Sequence, residues 1–285
     1  MGSRPVGLLV AWGSIVSAAQ LRPATLEAWN DYVKAAEVRL RSDEASQIPW
    51  MDQIPGVRER LRRGEIVAWP ATATHSRAVP HGMIHDWSGA IFIPRTSVRE
   101  VLSVIEDYDR YADYYGPTIR WAKLLSRNGD ESAFRVRYSR KALFVTVVLD
   151  IDYDMRYCQV DEKRWYSVAR STSIQEINNS GEAGERAVVA DNGSGYIWRT
   201  FGISKFDESD GGVYLEQESI ALSRTIPVEL RWLVKPFVEH LSKELVVETL
   251  RQTRDAVTSA GMGGRGGHGG QPELASSKLH FWDTR

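Results

Sequence analysis

The 285-residue chain is 42% hydrophobic and 26% charged, and its 36 basic and 37 acidic residues leave a net charge of −1. These are the proportions of an ordinary folded domain, and the near-neutral balance excludes the long-range attraction for nucleic acid or anionic membrane that a basic surface creates. The single cysteine, Cys158, excludes an intramolecular disulfide and a multi-cysteine zinc site.

Residues 1–19 carry the pattern of a signal peptide. Arg4 is the lone positive charge before the uncharged run Val6–Ala18, and Ser17-Ala18-Ala19 supplies small residues ahead of Gln20, the expected first mature residue. The run is too short to span a membrane. Export to the periplasm or outside follows if the signal is real, and a cytoplasmic place if it is not. A buried N-terminal helix is the alternative reading.

Residues 20–81 read as a helical N-terminal extension. Leu21–Leu40 predicts a helix, with Pro23 near its start and Leu26, Trp29, Val33, Ala36 and Leu40 on one face. A short helix at Val57–Arg63 and a short strand at Glu65–Trp69 follow, then a polar loop over 70–80. The segment holds too little apolar surface for a core of its own, so it is expected to wrap on the main domain.

That domain spans 82–260. His85–Ile93 alternates as a strand stopped by Pro94, and Ser97 with Glu100 has capping-box spacing before a helix on Val98, Val101, Leu102 and Ile105. A second short helix runs over 107–117. Strands are then expected at Ile119–Ser126, Ser132–Ser139, Leu143–Cys158, Trp165–Ile177, Tyr196–Phe206 and Val213–Ser223, with hairpin turns at Asn128-Gly129-Asp130 and Asp210-Gly211-Gly212. Val145, Val147, Leu149, Ile151 and Tyr153 share one face of their strand, opposite Asp150, Asp152 and Asp154. Thr225–Ala260 is helical, and Pro236 predicts a break after a first short turn. The long helix beyond it carries Phe237, Leu241, Leu245 and Leu250 on an apolar stripe. Residues 261–285 are too rich in glycine to pack and are expected to form a disordered tail.

The fold class is therefore α+β: a curved antiparallel sheet of about seven strands wrapped around one long C-terminal helix. This order, with the segment VLSVIEDYDRYADYYG after the first strand, the SRNGD hairpin and the closing helix, resembles the START-like superfamily, also called SRPBCC, with the helix-grip fold. The resemblance covers about residues 82–258. It implies a cavity between sheet and helix; members bind hydrophobic ligands such as lipids, sterols, polyketides or plant hormones, and some are cyclases or hydrolases.

Alternation places Trp87, Tyr138, Tyr153, Trp198, Thr200, Gln217 and Ser219 on the inward face, joined by Phe237, Leu241 and Leu245 from the helix. A mainly apolar wall with a few convergent polar groups is the usual lining of a small-molecule pocket, and this set is the expected ligand site. For any one of them, ordinary core is the plainer reading. His81 and His85 are four apart where a strand begins, a spacing that does not converge two imidazoles on a metal, and HExxH is absent. Asp150, Asp152 and Asp154 read as a solvated stripe paired with Arg170. Neither GxGxxG, Walker nor GxSxG spacing occurs. No metal, cofactor or catalytic residue is expected. The expectation is a protein that binds a hydrophobic small molecule or lipid, and possible transport is part of that reading. The alternatives are a cyclase or dehydratase using Tyr138, Tyr153 or His240 as acid and base, and a non-catalytic interaction scaffold.

Overall fold

The computed structural model describes residues 20–46, 49–71, 76–142, 145–194, 196–225 and 228–263, with 142, 145, 228–242, 262 and 263 described as backbone alone. The expected signal segment and all but the start of the glycine-rich tail lie outside these residues.

Helix α1 (Pro23–Ala45) opens with proline in its first turn, where the missing N–H goes unused. A 3-10 turn (Trp50–Asp52) and helix α2 (Val57–Arg62) follow. The short strands β1 (Val67–Pro70) and β2 (Ser76–Val79) both pair with the edge of β3 (Gly82–Pro94). The loop expected over 70–80 is thus in part a strand. Its pairing partner supplies the order that four residues of no apolar pattern cannot.

Helix α3 (Val98–Ile105) starts with the expected capping box: Ser97 Oγ accepts from the Glu100 N–H, and Glu100 accepts from the Ser97 N–H. Helix α4 (Tyr111–Tyr115) and strands β4 (Ile119–Asn128), β5 (Glu131–Ala142), β6 (Val145–Gln159) and β7 (Arg164–Asn178) come next. A two-residue β8 (Arg186–Ala187) pairs with β7, ahead of β9 (Arg199–Ser209) and β10 (Gly212–Arg224). Asp210 and Gly211 both take positive φ, as a tight hairpin turn between β9 and β10 requires.

All pairs are antiparallel, in the order β1-β3-β10-β9-β7-β6-β5-β4, and the sheet is curved and unclosed. Ten strands occur among the described residues where about seven were expected. The additions are β1, expected as a short strand of the extension but not as part of this sheet, and β2 and β8, each too short to show an alternating signature.

Helix α5 (Val228–Gly263) closes the concave face. It runs unbroken through Pro236, so the expected interruption there is absent; one lost backbone bond does not end a helix of 36 residues. Its closest backbone approaches are to β3, β1, β10, α3 and α4. Val246, Leu250, Ala256 and Val257 bury against Ile91, Ile93, Val213, Leu215 and Phe206, with α3 completing the cluster. A Cβ on Gly89 would stand 2.7 Å from Val246 Cγ1 and 3.0 Å from Leu250 Cδ1, so the helix seats directly on bare backbone. We expect Gly89→Ala to cost about 2 kcal/mol and Val246→Ala about 2 kcal/mol. The double variant should lose about 2 rather than 4 kcal/mol, since the new methyl enters the vacated space. Urea unfolding of the four proteins measures this, and simple additivity would mean that α5 does not seat at Gly89.

The convex face is covered too. Trp29, Tyr32, Val33, Ala36 and Leu40 of α1 pack on Ile84, Phe201, Ile203, Ile220 and Leu222, while Met51, Val57 and Leu61 cover Ala90 and Tyr214. Charged pairs tie the layers: Arg39 to Glu218 at 2.6 Å, Arg170 to Glu37 at 2.8 Å, and Lys205 to Asp43. Farther along, Arg137 clamps Asp150 with bonds of 2.7 and 2.8 Å, and Arg135 clamps Asp152. The aspartate stripe does face outward as expected, but its partners are these β5 arginines rather than Arg170, which α1 has taken.

Candidate functional site: a trough beneath helix α5

Cross-strand register lays the concave face out in rows. One row runs His85, Ala221, Thr200, then across β7 and β6 to Tyr153 and Phe134. The next is Trp87, Ser219, Gly202, Ala169, Met155, and the third is Gly89, Gln217, Ser204, Ser167, Tyr157. The fourth is Ile91, Leu215, Phe206, Trp165. That last row is large and apolar and is filled from above by α5 and α3.

The floor of the first three rows is different. Its positions on β10, β9 and β7 are Ala, Ser, Gly, Thr and one Gln. Ala221, Ser219, Gln217, Thr200, Gly202, Ser204 and Ala169 are only half-buried although they lie mid-sheet. His85 and Trp87 form one wall, and Tyr153, Met155 and Tyr157 the other. With strands about 4.8 Å apart, four strand steps make the trough roughly 19 Å across when flattened, less on a curved sheet.

Its polar groups are mostly neutral. Thr200 Oγ1 donates to the Tyr153 hydroxyl at 3.0 Å, and the Ser171 hydroxyl donates to the Thr200 carbonyl. His85 Nε2 lies 3.0 Å from Ser223 Oγ, which also stands 3.2 Å from the Arg224 carbonyl. Glu176 is occupied by the N–H and hydroxyl of Ser194. Burial pushes the Tyr153 hydroxyl up and Tyr138 up to about 12. Both phenols therefore stay protonated near neutral pH, which suits hydrogen-bond donors and not general bases.

Of the residues expected from sequence, Trp87, Tyr153, Thr200, Gln217 and Ser219 lie on this trough, and Tyr138 stands on its β5 side. Trp198 does not. It precedes β9, where alternation ceases to apply, and is buried on the convex side with Trp29 and Phe201. Leu245 is half-buried on α5, and its neighbour Val246 is the side chain that meets Gly89. Phe237, Leu241 and His240 lie outside the residues whose side chains are described.

Sequence reasoning missed His85, Ser167, Ala169, Gly202, Ser204 and Ala221. The signal was available: Ser-x-Ala-x-Ser on β7, Thr-x-Gly-x-Ser on β9 and Gln-x-Ser-x-Ala on β10 put small residues at every inward position of adjacent strands. Among the described residues no cluster of histidine, cysteine or carboxylate could hold a metal ion, and no helix is long and apolar enough to cross a membrane.

No family model matches the sequence, and no curated protein does. Solved structures are similar at low identity. Human STARD10 shares 7% identity over 77% of this chain and 84% of that one, with a TM-score of 0.44. A STAR-related lipid transfer protein fragment from Xanthomonas axonopodis shares 15% over 66% and 98%, with a TM-score of 0.40. The Zhui aromatase/cyclase from a Streptomyces species shares 13% over 62% and 98%, with a TM-score of 0.40. An antiparallel meander that curves about one long C-terminal helix, with two helices inserted after its first long strand, is the helix-grip arrangement.

Proposed function

We propose that the protein binds a hydrophobic small molecule or lipid in the trough between the sheet and helix α5. The observation that carries this reading is the floor of small residues on β10, β9 and β7, beside a row of the same sheet that is packed solid. The inward positions of β10, β9 and β7 at this end are small, where the fourth row carries isoleucine, leucine and phenylalanine. Aromatic and thioether walls with a few neutral hydroxyls favour an apolar body carrying few polar groups.

Gly202 tests the proposal. A Cβ there would meet the Glu218 carbonyl at 3.7 Å and Ala169 Cβ at 3.9 Å, ordinary contacts, so a longer side chain extends into the trough without displacing backbone. Gly202→Leu should weaken binding of the neutral fluorophore N-phenyl-1-naphthylamine at least about tenfold, with a melting temperature within a few degrees of the parent. Unchanged fluorophore affinity in a folded Gly202→Leu variant would remove the trough as the site.

A further inference from the structure

Resting on the binding reading above, we infer that the ligand is an organic acid, whose anionic head sits at the β5 mouth of the trough against Arg140 and the Tyr138 hydroxyl while its apolar body lies on the floor. On β3, β5, β6, β7, β9 and β10, the inward positions among the described residues hold one lysine or arginine, and it is Arg140. It follows Tyr138 on the same face of β5, and its positive charge opposes the burial that raises that phenol.

Arg140 is poorly matched for a charge in such a place. Its side chain is 22% exposed, and its carboxylate partner is Glu244 of α5, which is 60% exposed and 3.5 Å away through one nitrogen. The outward arginines show what a satisfied guanidinium looks like in this protein: Arg137, 18% exposed, donates two bonds to Asp150 at 2.7 and 2.8 Å and a third to Glu185 at 2.8 Å. A part-buried cation whose one carboxylate contact among the described residues is long and to a solvated acid is open to a closer anion. The phenol adds to this. Tyr138 lies on the same inward face and keeps its proton near neutral pH, so a carboxylate or similar oxygen would meet a guanidinium and an O–H together.

Deeper in, the Tyr153 hydroxyl accepts from Thr200 and likewise keeps a proton to donate. By register it lies four residues along from the Tyr138 row, about 13 Å at strand spacing. An acid with a second oxygen partway along its body would use both stations. Glu244 is in this view a competitor: it holds Arg140 when the trough is empty and yields it to the ligand head.

Two fluorophores with one ring skeleton isolate the head group: 8-anilinonaphthalene-1-sulfonate is an anion, and N-phenyl-1-naphthylamine is neutral. Arg140→Gln should lower sulfonate affinity about tenfold while changing that of the amine less than about twofold. Glu244→Gln should do the reverse for the sulfonate, raising its affinity roughly two- to fivefold. A purely structural ion pair would give equal effects on both probes in both variants, and that result would overturn the inference. If the amine binds the parent and responds to Gly202→Leu while the sulfonate preference ignores Arg140, the acid assignment falls and the trough stands. If neither probe binds the parent, both fall.

Discussion

Replacing Asp86 with asparagine should leave stability almost unchanged at pH 4 and raise it on the order of 3 kcal/mol at pH 8. Asp86 is 1% exposed on the convex face of β3, beneath α1. Tyr32 donates to its Oδ2 at 2.7 Å, Arg39 stands 3.9 Å away, and Oδ1 has no hydrogen-bond partner. Burial, and then the nearby charge of Glu218, push this carboxyl up to about 7. Glu216, two residues along the same face, is also raised to about 7 by burial, although Lys205 opposes the shift. The folded protein therefore holds a proton that the unfolded chain releases near pH 4. The contribution of Asp86 to stability is fullest below that point, declines as pH rises to about 7, and is level above it. Asparagine supplies the neutral form at every pH and can still accept from Tyr32. Carboxylates that arginine holds below their usual range, such as Asp52 and Asp210, behave alike in both proteins and cancel in the difference. Urea unfolding of the pair at pH 4.5, 6 and 8 gives the curve, and a difference that stays flat would show that Asp86 is ionised throughout.

The second large effect lies a turn away. Trp29→Ala should cost about 4 kcal/mol, or roughly 10 °C in melting temperature for a chain of this size. Helix α1 has little to hold it on its own: Arg22 gives no side-chain cap, and the first turn carries no acid. Its order depends on packing, and Trp29, 3% exposed, joins Val33 and Ala36 to the apolar patch on β3, β9 and β10. Leu125→Ala is the control, since Leu125 is 50% exposed on β4 and should move stability by less than about 0.5 kcal/mol. Calorimetry on both variants decides it. A loss below about 1 kcal/mol at Trp29 would mean that α1 contributes little to the fold.

Much of the architecture is legible in the chain. Period-two alternation with well-marked turns places every long strand, and the capping box at Ser97 marks α3 to the residue. What alternation does not report is what lies on each face. Ile84, Phe201, Ile203, Ile220 and Leu222 are apolar on the side opposite Val213 and Leu215, and α1 covers them. Strands that are apolar on both faces are a sign of two covering layers. Trp198 was misplaced because it precedes β9, and the period holds only within a strand. Only part of the floor (Thr200, Gln217 and Ser219) was expected; Ser167, Ala169, Gly202, Ser204 and Ala221 were passed over, because a small side chain draws little notice until its neighbours across two strands prove small as well. The run through Pro236 shows how weak a local rule becomes when a long helix has a surface to lie on.

The unclosed sheet leaves one flank at β4, and that flank is built to discourage company. Its register slips twice against β5, between Ile119 and Trp121 and between Leu124 and Ser126, so its free backbone groups do not present an even row to another strand. Arg120, Lys123 and Arg127 lie along the same ten residues. Irregular spacing and cationic side chains both resist the edge-to-edge stacking that turns open sheets into fibrils. A barrel escapes that hazard by closing on itself. This protein keeps its sheet open around α5 and guards the exposed border instead.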